Sequence, residues 1–178
     1  MPYNNLENEN EEGLGMESTI FRKIMVATDG SGEVRKAVDS AIEIAKLSDA
    51  KLYAVYVVAV GGYAITPSKD KEWEKAVKEQ LITEGKEATN YVENTGRVAN
   101  IEVESIILEG SPADEIVNFA EKNDIDLIVI GTQGKSAIKR FLIGSVAENV
   151  VRHSKTDVLV VRGENAKKRS LLNIIPIL

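Results

Sequence analysis

The chain of 178 residues contains no cysteine. This absence excludes disulfide bonds, a thiol nucleophile and thiolate metal sites. The sequence has a single histidine, His153, so it cannot place several imidazoles around one metal ion. The composition therefore excludes catalysis by a thiol and metal sites built from thiolates or from several imidazoles.

Long apolar runs and an excess of positive charge are also lacking. No apolar run approaches the roughly 20 residues needed to cross a bilayer, and the first 19 residues are polar and acidic, unlike a signal peptide. The net charge is −6 and the pI is about 5.0. Such a balance argues against binding to nucleic acid or to an anionic membrane through bulk charge. We expect a cytoplasmic protein without a membrane span.

The remaining composition is typical of a globular protein, with 43% hydrophobic and 28% charged residues. The length predicts one domain with some tail. Residues 1–19 carry five glutamates and little that could be buried, which indicates a disordered acidic leader. Residues 164–178 are basic and then apolar, and we expect this tail to dock on the protein, on a dimer mate or on a partner. The domain itself is expected to span residues 20–163.

Apolar runs alternate with segments of helical periodicity along the predicted domain. The runs predicted as strands are KIMVATDG, KLYAVYVVAV, IEVESIILEG, DLIVI and TDVLVVR. The longest helix is predicted from Glu72 to Asn94, with Gly85 weakening its middle. Because each crossover is long enough for a helix, the pattern predicts an α/β fold. We expect a five-stranded parallel sheet with helices on both faces.

Three serines stand where helix N-caps are expected. Ser31 precedes the first helix, and Ser111 precedes the third helix, which has Pro112 at its first position. Ser145 and Glu148 have the spacing of a capping box ahead of the last helix. These residues predict where the helices begin.

The expected strand order, 3-2-1-4-5, places a crevice between strands one and four. In sheets of this kind ligands bind beyond the carboxyl ends of the strands, where the order reverses. The loops at that point are TDGSG, residues 28–32, and GTQGKSAIKRFLIGS, residues 131–145. The most glycine-marked part of the chain thus falls at the natural binding point of the fold.

The GKS triplet in the second loop is not a P-loop. Both the P-loop and the dinucleotide fingerprint would need glycine at position 129, where the sequence has Val129. Gly131 and Gly134 allow close approach of a ligand to the backbone, and Gly144-Ser145 begins a helix whose free N–H groups attract anions. This predicts a triphosphate over the helix start and a nucleoside nearer strand four. The alternative is that the glycines serve only turns and a helix cap.

The motif G-x-x-G-x9-G-[ST], with an acidic residue after strand one, resembles the universal stress protein family. The resemblance extends from about Phe21 to Arg162 and is carried by KIMVATDGS, EGSPADEIVNFAEKNDIDLIVIGTQGKS and GSVAENVVRHSKTDVLVVR. It implies a Rossmann-like fold of the adenine nucleotide alpha hydrolase type. In this family the complete glycine motif marks members that bind ATP. The resemblance therefore implies ATP, or AMP or another adenine nucleotide, together with magnesium or manganese.

The resemblance also implies which residues contact the nucleoside. Asp29 is expected to face the ribose or to hold a metal ion through water, and Ala27 is expected to lie beside the nucleotide. Val57 is expected to meet adenine through its backbone, and Ile130 and Gly131 to flank the nucleoside. For Asp29 the alternative is that it only closes the turn that follows it.

A second group of residues is implied around the phosphates. Its members are Gly134, Gly144, Ser145, Val146 and Ala147. Ala147 departs from the family, since related chains often have a hydroxyl side chain there. Position 147 therefore lacks the side-chain hydroxyl that would contact a phosphate or a metal ion.

The sequence offers no evident general base for ATP hydrolysis. The P-loop lysine setting is missing, and the glycine stretch contains no second carboxylate. We therefore expect a binding protein, an ATP-dependent regulatory or stress-response module whose loop 132–143 is ordered by nucleotide and recognised by a protein partner. The alternatives are a slow ATPase or phosphotransferase, and a nucleotide-free dimerisation or adaptor module.

Strand five, residues 157–162, is expected to form an edge of the sheet. It reads DVLVVR, and its apolar core carries no charge or proline that would prevent pairing with another chain. The resemblance implies the same, because family members commonly dimerise through this strand. We therefore expect a homodimer.

Overall fold

Five parallel β-strands form one sheet in the computed structural model, which describes residues 20–59, 71–133 and 143–163. The strands are β1 Lys23–Ala27, β2 Lys51–Ala59, β3 Val103–Gly110, β4 Leu127–Gly131 and β5 Asp157–Val161. Their order in the sheet is β3-β2-β1-β4-β5. This confirms the predicted α/β class and strand order.

Four α-helices in the described ranges cover the sheet. They are α1 Arg35–Ser48, which follows a 3-10 turn at Gly32–Val34, then α2 Lys71–Val98, α3 Pro112–Lys122 and α4 Ser145–His153. Helices α1 and α2 pack on one face, and α3 and α4 pack on the other. The sheet is thereby covered on both sides, as expected for parallel strands joined by helical crossovers.

The central strands are buried on both faces because helices cover each side. Along β1, Ile24 and Val26 pack toward α1, whereas Met25 and Ala27 pack toward α3 and α4. All four are nearly inaccessible to solvent. This explains why the sequence of β1 is a continuous apolar run rather than an alternating one.

The observed starts of the helices differ in part from the predicted ones. Ser111 and Pro112 begin α3 as expected, although Ser111 makes no side-chain capping bond. The prediction that Ser31 caps α1 is wrong, because Ser31 precedes the 3-10 turn, makes no capping bond, and leaves Val34 as the N-cap of α1. The predicted capping box at Ser145 is wrong, because Gly144 is the N-cap and Ser145 is already helical. The carbonyl of Gly144 accepts the N–H of Glu148 at 2.9 Å, which moves the helix start back by one residue.

Helix α2 is longer than predicted, since it continues from Asn94 to Val98. The acidic leader 1–19, the tail 164–178 and the predicted loop residue Gly134 lie outside the described residues. Within the described part of the chain, no helix combines the length and the apolar character needed to cross a bilayer.

Candidate functional site

A cavity of about 490 Å³ opens at the carboxyl ends of β1, β2 and β4, beside the first turns of α3 and α4. We call it the carboxyl-end cavity. All predicted site residues that the structure describes line it: Ala27, Asp29, Val57, Ile130, Gly131, Gly144, Ser145, Val146 and Ala147. The fold therefore brings together residues that are up to 120 positions apart in the sequence. Their roles toward a ligand stay predictions.

The cavity begins where β1 ends beside β2. The last residue pair of this ladder is Ala27 with Val55, and the N–H of Thr28 still donates to the carbonyl of Val55 at 2.9 Å. Val57 lies two residues further along β2, has no β1 residue opposite it and lines the cavity. The backbone N–H and C=O of Val57 therefore have no β1 partner, and the polar edge of a planar ring could bind in the place that a continued β1 would occupy.

Asp29 lies in a tight turn that follows β1 and also lines the cavity. Its Oδ1 accepts the N–H of Ser31 at 2.9 Å, and the next residue, Gly30, has a φ of +75° that favours glycine. Asp29 therefore closes the turn, as the alternative stated for this residue in the sequence analysis expected. This role does not exclude contact with a ligand, because a carboxylate offers about four lone-pair directions on two oxygens.

The start of α4 supplies free backbone donors. The N–H of Gly144 itself donates to the carbonyl of Thr132 at 2.7 Å, so this glycine contributes space rather than a donor. Ser145, Val146 and Ala147 form the first turn of α4 and line the cavity. The N–H groups of a first helical turn have no partner within the helix, and the helix dipole adds partial positive charge there. This end of the cavity suits an anion.

The sequence model of the universal stress protein family matches residues 20–162. This chain belongs to the universal stress protein family. The matched residues include all of β1 to β5 and every described residue that lines the carboxyl-end cavity. The family assignment therefore covers the fold and the candidate site together.

Individual universal stress proteins support the same assignment. The chain is 43% identical over 143 residues to one from Methanocaldococcus jannaschii, which covers 80% of this chain and 83% of that protein. A solved universal stress protein in complex with cAMP is 30% identical with a TM-score of 0.63, covering 82% of this chain and 99% of that one. Another, from Archaeoglobus fulgidus in complex with dAMP, is 29% identical with a TM-score of 0.60, covering 80% and 99%.

The cavity of this universal stress protein has further walls that sequence reasoning missed. They include Val34, Tyr56, Pro112 and Ile116, whereas Thr28 and Thr132 belong to the two loops that the sequence already placed at the crevice. Pro112 follows the short loop at the carboxyl end of β3, which lies at the same edge of the sheet as those of β1 and β4. That loop could have been included on topology alone. Val34 and Ile116 carry no such signal, because an apolar residue at helical spacing looks like core.

The described lining of the cavity contains few charged side chains. Asp29 is the one acidic or basic side chain of the described lining, and no described lysine or arginine reaches the cavity. No group of three potential metal ligands occurs in the described ranges. A divalent cation in the cavity would therefore be held by Asp29 together with oxygens of the ligand, a donor set that magnesium and manganese accept.

A second depression, of about 510 Å³, lies at the opposite end of the sheet in this universal stress protein. It is bordered by acidic residues, among them Asp124, Asp126 and Asp157, and by Lys155. Asp126 is engaged in the fold, since its Oδ2 accepts the N–H groups of Arg22 and Lys23 at 2.7 and 2.8 Å. The depression borders neither a helix start nor the carboxyl end of a strand, which leaves the carboxyl-end cavity as the candidate site.

Proposed function

We propose that this universal stress protein binds an adenine nucleotide, with ATP as the preferred ligand, in the carboxyl-end cavity and acts as a nucleotide-dependent regulatory module. One observation carries the proposal: an apolar compartment and a set of free helix-start amides share one cavity at the reversal point of the sheet. Relatives with cAMP and dAMP support the adenine nucleotide as the ligand class.

The nucleoside would occupy the apolar compartment. Val57 of β2 and Ile130 of β4 line the cavity from the two strands that flank β1, and Ile116 of α3 adds a third apolar surface. A base between them would lose contact with water, and its polar edge would need partners, which the backbone of Val57 supplies. Asp29, in the turn that follows β1, lines the same cavity and would lie near the ribose.

The phosphates would lie over the start of α4. The amides of Ser145, Val146 and Ala147 would donate to phosphate oxygens, as helix starts do in other phosphate sites. Magnesium or manganese held by Asp29 would neutralise part of the phosphate charge. Because Asp29 is the one carboxylate in the described lining and its Oδ1 accepts the N–H of Ser31, we propose binding rather than efficient hydrolysis.

Calorimetric titration of the purified chain with ATP, with and without magnesium, tests the proposal. We expect a dissociation constant in the micromolar range, about −8 kcal/mol. Nucleotide released by denaturing freshly purified protein would identify the ligand that the chain acquires in the cell. An affinity no tighter than about millimolar for ATP, AMP and cAMP, with no released nucleotide, would overturn the proposal.

The Asp29→Asn variant separates the two roles of this side chain. The asparagine oxygen can still accept the N–H of Ser31, so the turn is retained, but the negative charge is lost. We expect the magnesium-dependent gain in ATP affinity to disappear, a change of about tenfold. The measurement is the ratio of ATP affinities with and without magnesium, together with urea unfolding.

Asp39→Asn on the exposed surface of α1 is the matched control, because it removes the same charge away from the cavity. It should leave the magnesium dependence unchanged. If Asp29→Asn keeps the full magnesium dependence, Asp29 acts only in the turn and does not hold the cation.

We also propose that the chain forms a homodimer through residues 157–162. Strand β5 is the terminal strand of the sheet and pairs with β4 on one side only within the described chain. Its Leu159 is 36% exposed despite being apolar. An apolar edge strand invites pairing with a second strand, and an identical copy offers one in register.

A further inference from the structure

Helix α2 lies on the face of the sheet opposite α3 and α4, yet it contacts two walls of the carboxyl-end cavity from behind. The first wall is the β2 wall, residues Val55–Val57, and the second is the Asp29 turn, residues Thr28–Gly30. The helix meets both walls within a single turn, at Gly85 and Ala88. These two residues are small and buried.

Gly85 contacts the β2 wall through Tyr56. Tyr56 is 7% exposed, and it packs on the α2 side of the sheet. A methyl group at position 85 would come within 2.7 Å of Cδ1 and 3.2 Å of two further ring carbons. Real Cβ atoms do not make contacts this short, so the ring or the strand would have to move.

Ala88 contacts the Asp29 turn through Gly30. A Cβ placed on Gly30 would be 3.1 Å from the Cβ of Ala88, so the turn passes close against the helix. Tyr56 and Ala88 belong to the same hydrophobic cluster. Because positions 85 and 88 are three residues apart, they lie on one face of α2. The same helix face therefore contacts both walls and fixes the spacing between them.

We infer that Gly85 and Ala88 are positioning residues of the carboxyl-end cavity, which set the separation between the β2 wall and the Asp29 turn. The inference rests on the proposed function, because that separation is where the nucleoside would lie. It also explains why the interior of α2 has glycine at position 85, although glycine is a poorer helix former than alanine. The alanine methyl would displace the wall that carries Val57.

The first test compares Gly85→Ala with Gly96→Ala in the same helix. A methyl group at Gly96 would clash with Val103 at the start of β3, which is at the opposite end of the sheet from the cavity. Both variants are expected to lose stability in urea unfolding. Only Gly85→Ala should weaken AMP and ATP binding, by about tenfold, whereas Gly96→Ala should stay within about twofold of the original chain.

The second test removes the ring that Gly85 accommodates. Tyr56→Leu alone leaves space beside Gly85 and should weaken AMP binding several-fold. Combining it with Gly85→Ala refills that space, so the double variant should bind AMP more tightly than Tyr56→Leu alone. This comparison works even if Gly85→Ala alone does not fold, because it uses only the two variants with leucine at position 56.

The outcomes separate this inference from the proposed function. Absence of AMP and ATP binding by the original chain would overturn both. Binding by the original chain, with equal AMP affinities for Tyr56→Leu and the double variant, would overturn the positioning role alone. A loss of affinity in Gly96→Ala equal to that in Gly85→Ala would also overturn it, because stability rather than the wall position would then control binding.

Discussion

Gly144→Val is expected to lower the affinity for ATP at least about 100-fold, or ~2.7 kcal/mol, while the sheet stays folded. Gly144 caps α4 at the edge of the carboxyl-end cavity, and a Cβ there would already lie 3.3 Å from the carbonyl of Thr132. The added methyl groups would occupy the approach to the amides of Ser145, Val146 and Ala147. The phosphates would then lose these N–H donors. The described lining contains no cationic side chain that could replace them.

The fold should survive this change because the backbone of Gly144 is ordinary. Its φ of −66° and ψ of 153° are open to any residue. The measurement is calorimetric titration with ATP, with circular dichroism and urea unfolding to confirm the fold. Gly32→Val is the matched control, since a Cβ at Gly32 meets no atom within 4 Å and the residue does not line the cavity. ATP binding at the original strength by Gly144→Val would contradict the phosphate placement.

Leu159→Lys should convert the proposed homodimer into a monomer. A lysine on an edge strand opposes pairing, because its charge would lose water or face its copy across the two-fold axis. We expect the dimer dissociation constant to rise at least about 100-fold. Sedimentation equilibrium at micromolar concentrations measures it directly.

Leu47→Lys is the control for the dimer experiment. Leu47 is 87% exposed near the end of α1, so its replacement changes charge equally without touching the β5 edge. It should leave the association unchanged. An original chain that sediments as a monomer would contradict the homodimer, and a dimeric Leu159→Lys variant would show that another surface joins the copies.

Much of the fold could be predicted because local patterns and the topology of parallel sheets agree. Continuous apolar runs such as that of β4 indicate strands covered on both faces, and the crossovers between them are long enough for helices. Helix ends were less predictable. Ser145 has the right chemistry for a cap, but the extended backbone at Gly144 and its carbonyl bond to Glu148 place the cap one residue earlier.

The candidate site was predictable where it is made of loops with distinctive residues. Asp29 and the glycines at positions 131 and 144 stand out in the sequence, and the structure places them around one cavity. Ile116 and Val34 were missed for a physical reason: an apolar side chain that faces a cavity and one that faces the core follow the same helical spacing. Only the arrangement of α3 and the 3-10 turn around the sheet distinguishes them.

By itself the sequence determined the class of fold, the strand order and the end of the sheet that carries the cavity. These depend on periodicity and on the few ways in which parallel strands can be connected. The tertiary structure alone decided what lies behind the cavity. Gly85 looks like a weak point of α2 in the sequence, yet the Tyr56 ring leaves room for nothing larger. Such a contact joins residues 29 positions apart on two elements, and a one-dimensional pattern contains no distance between them.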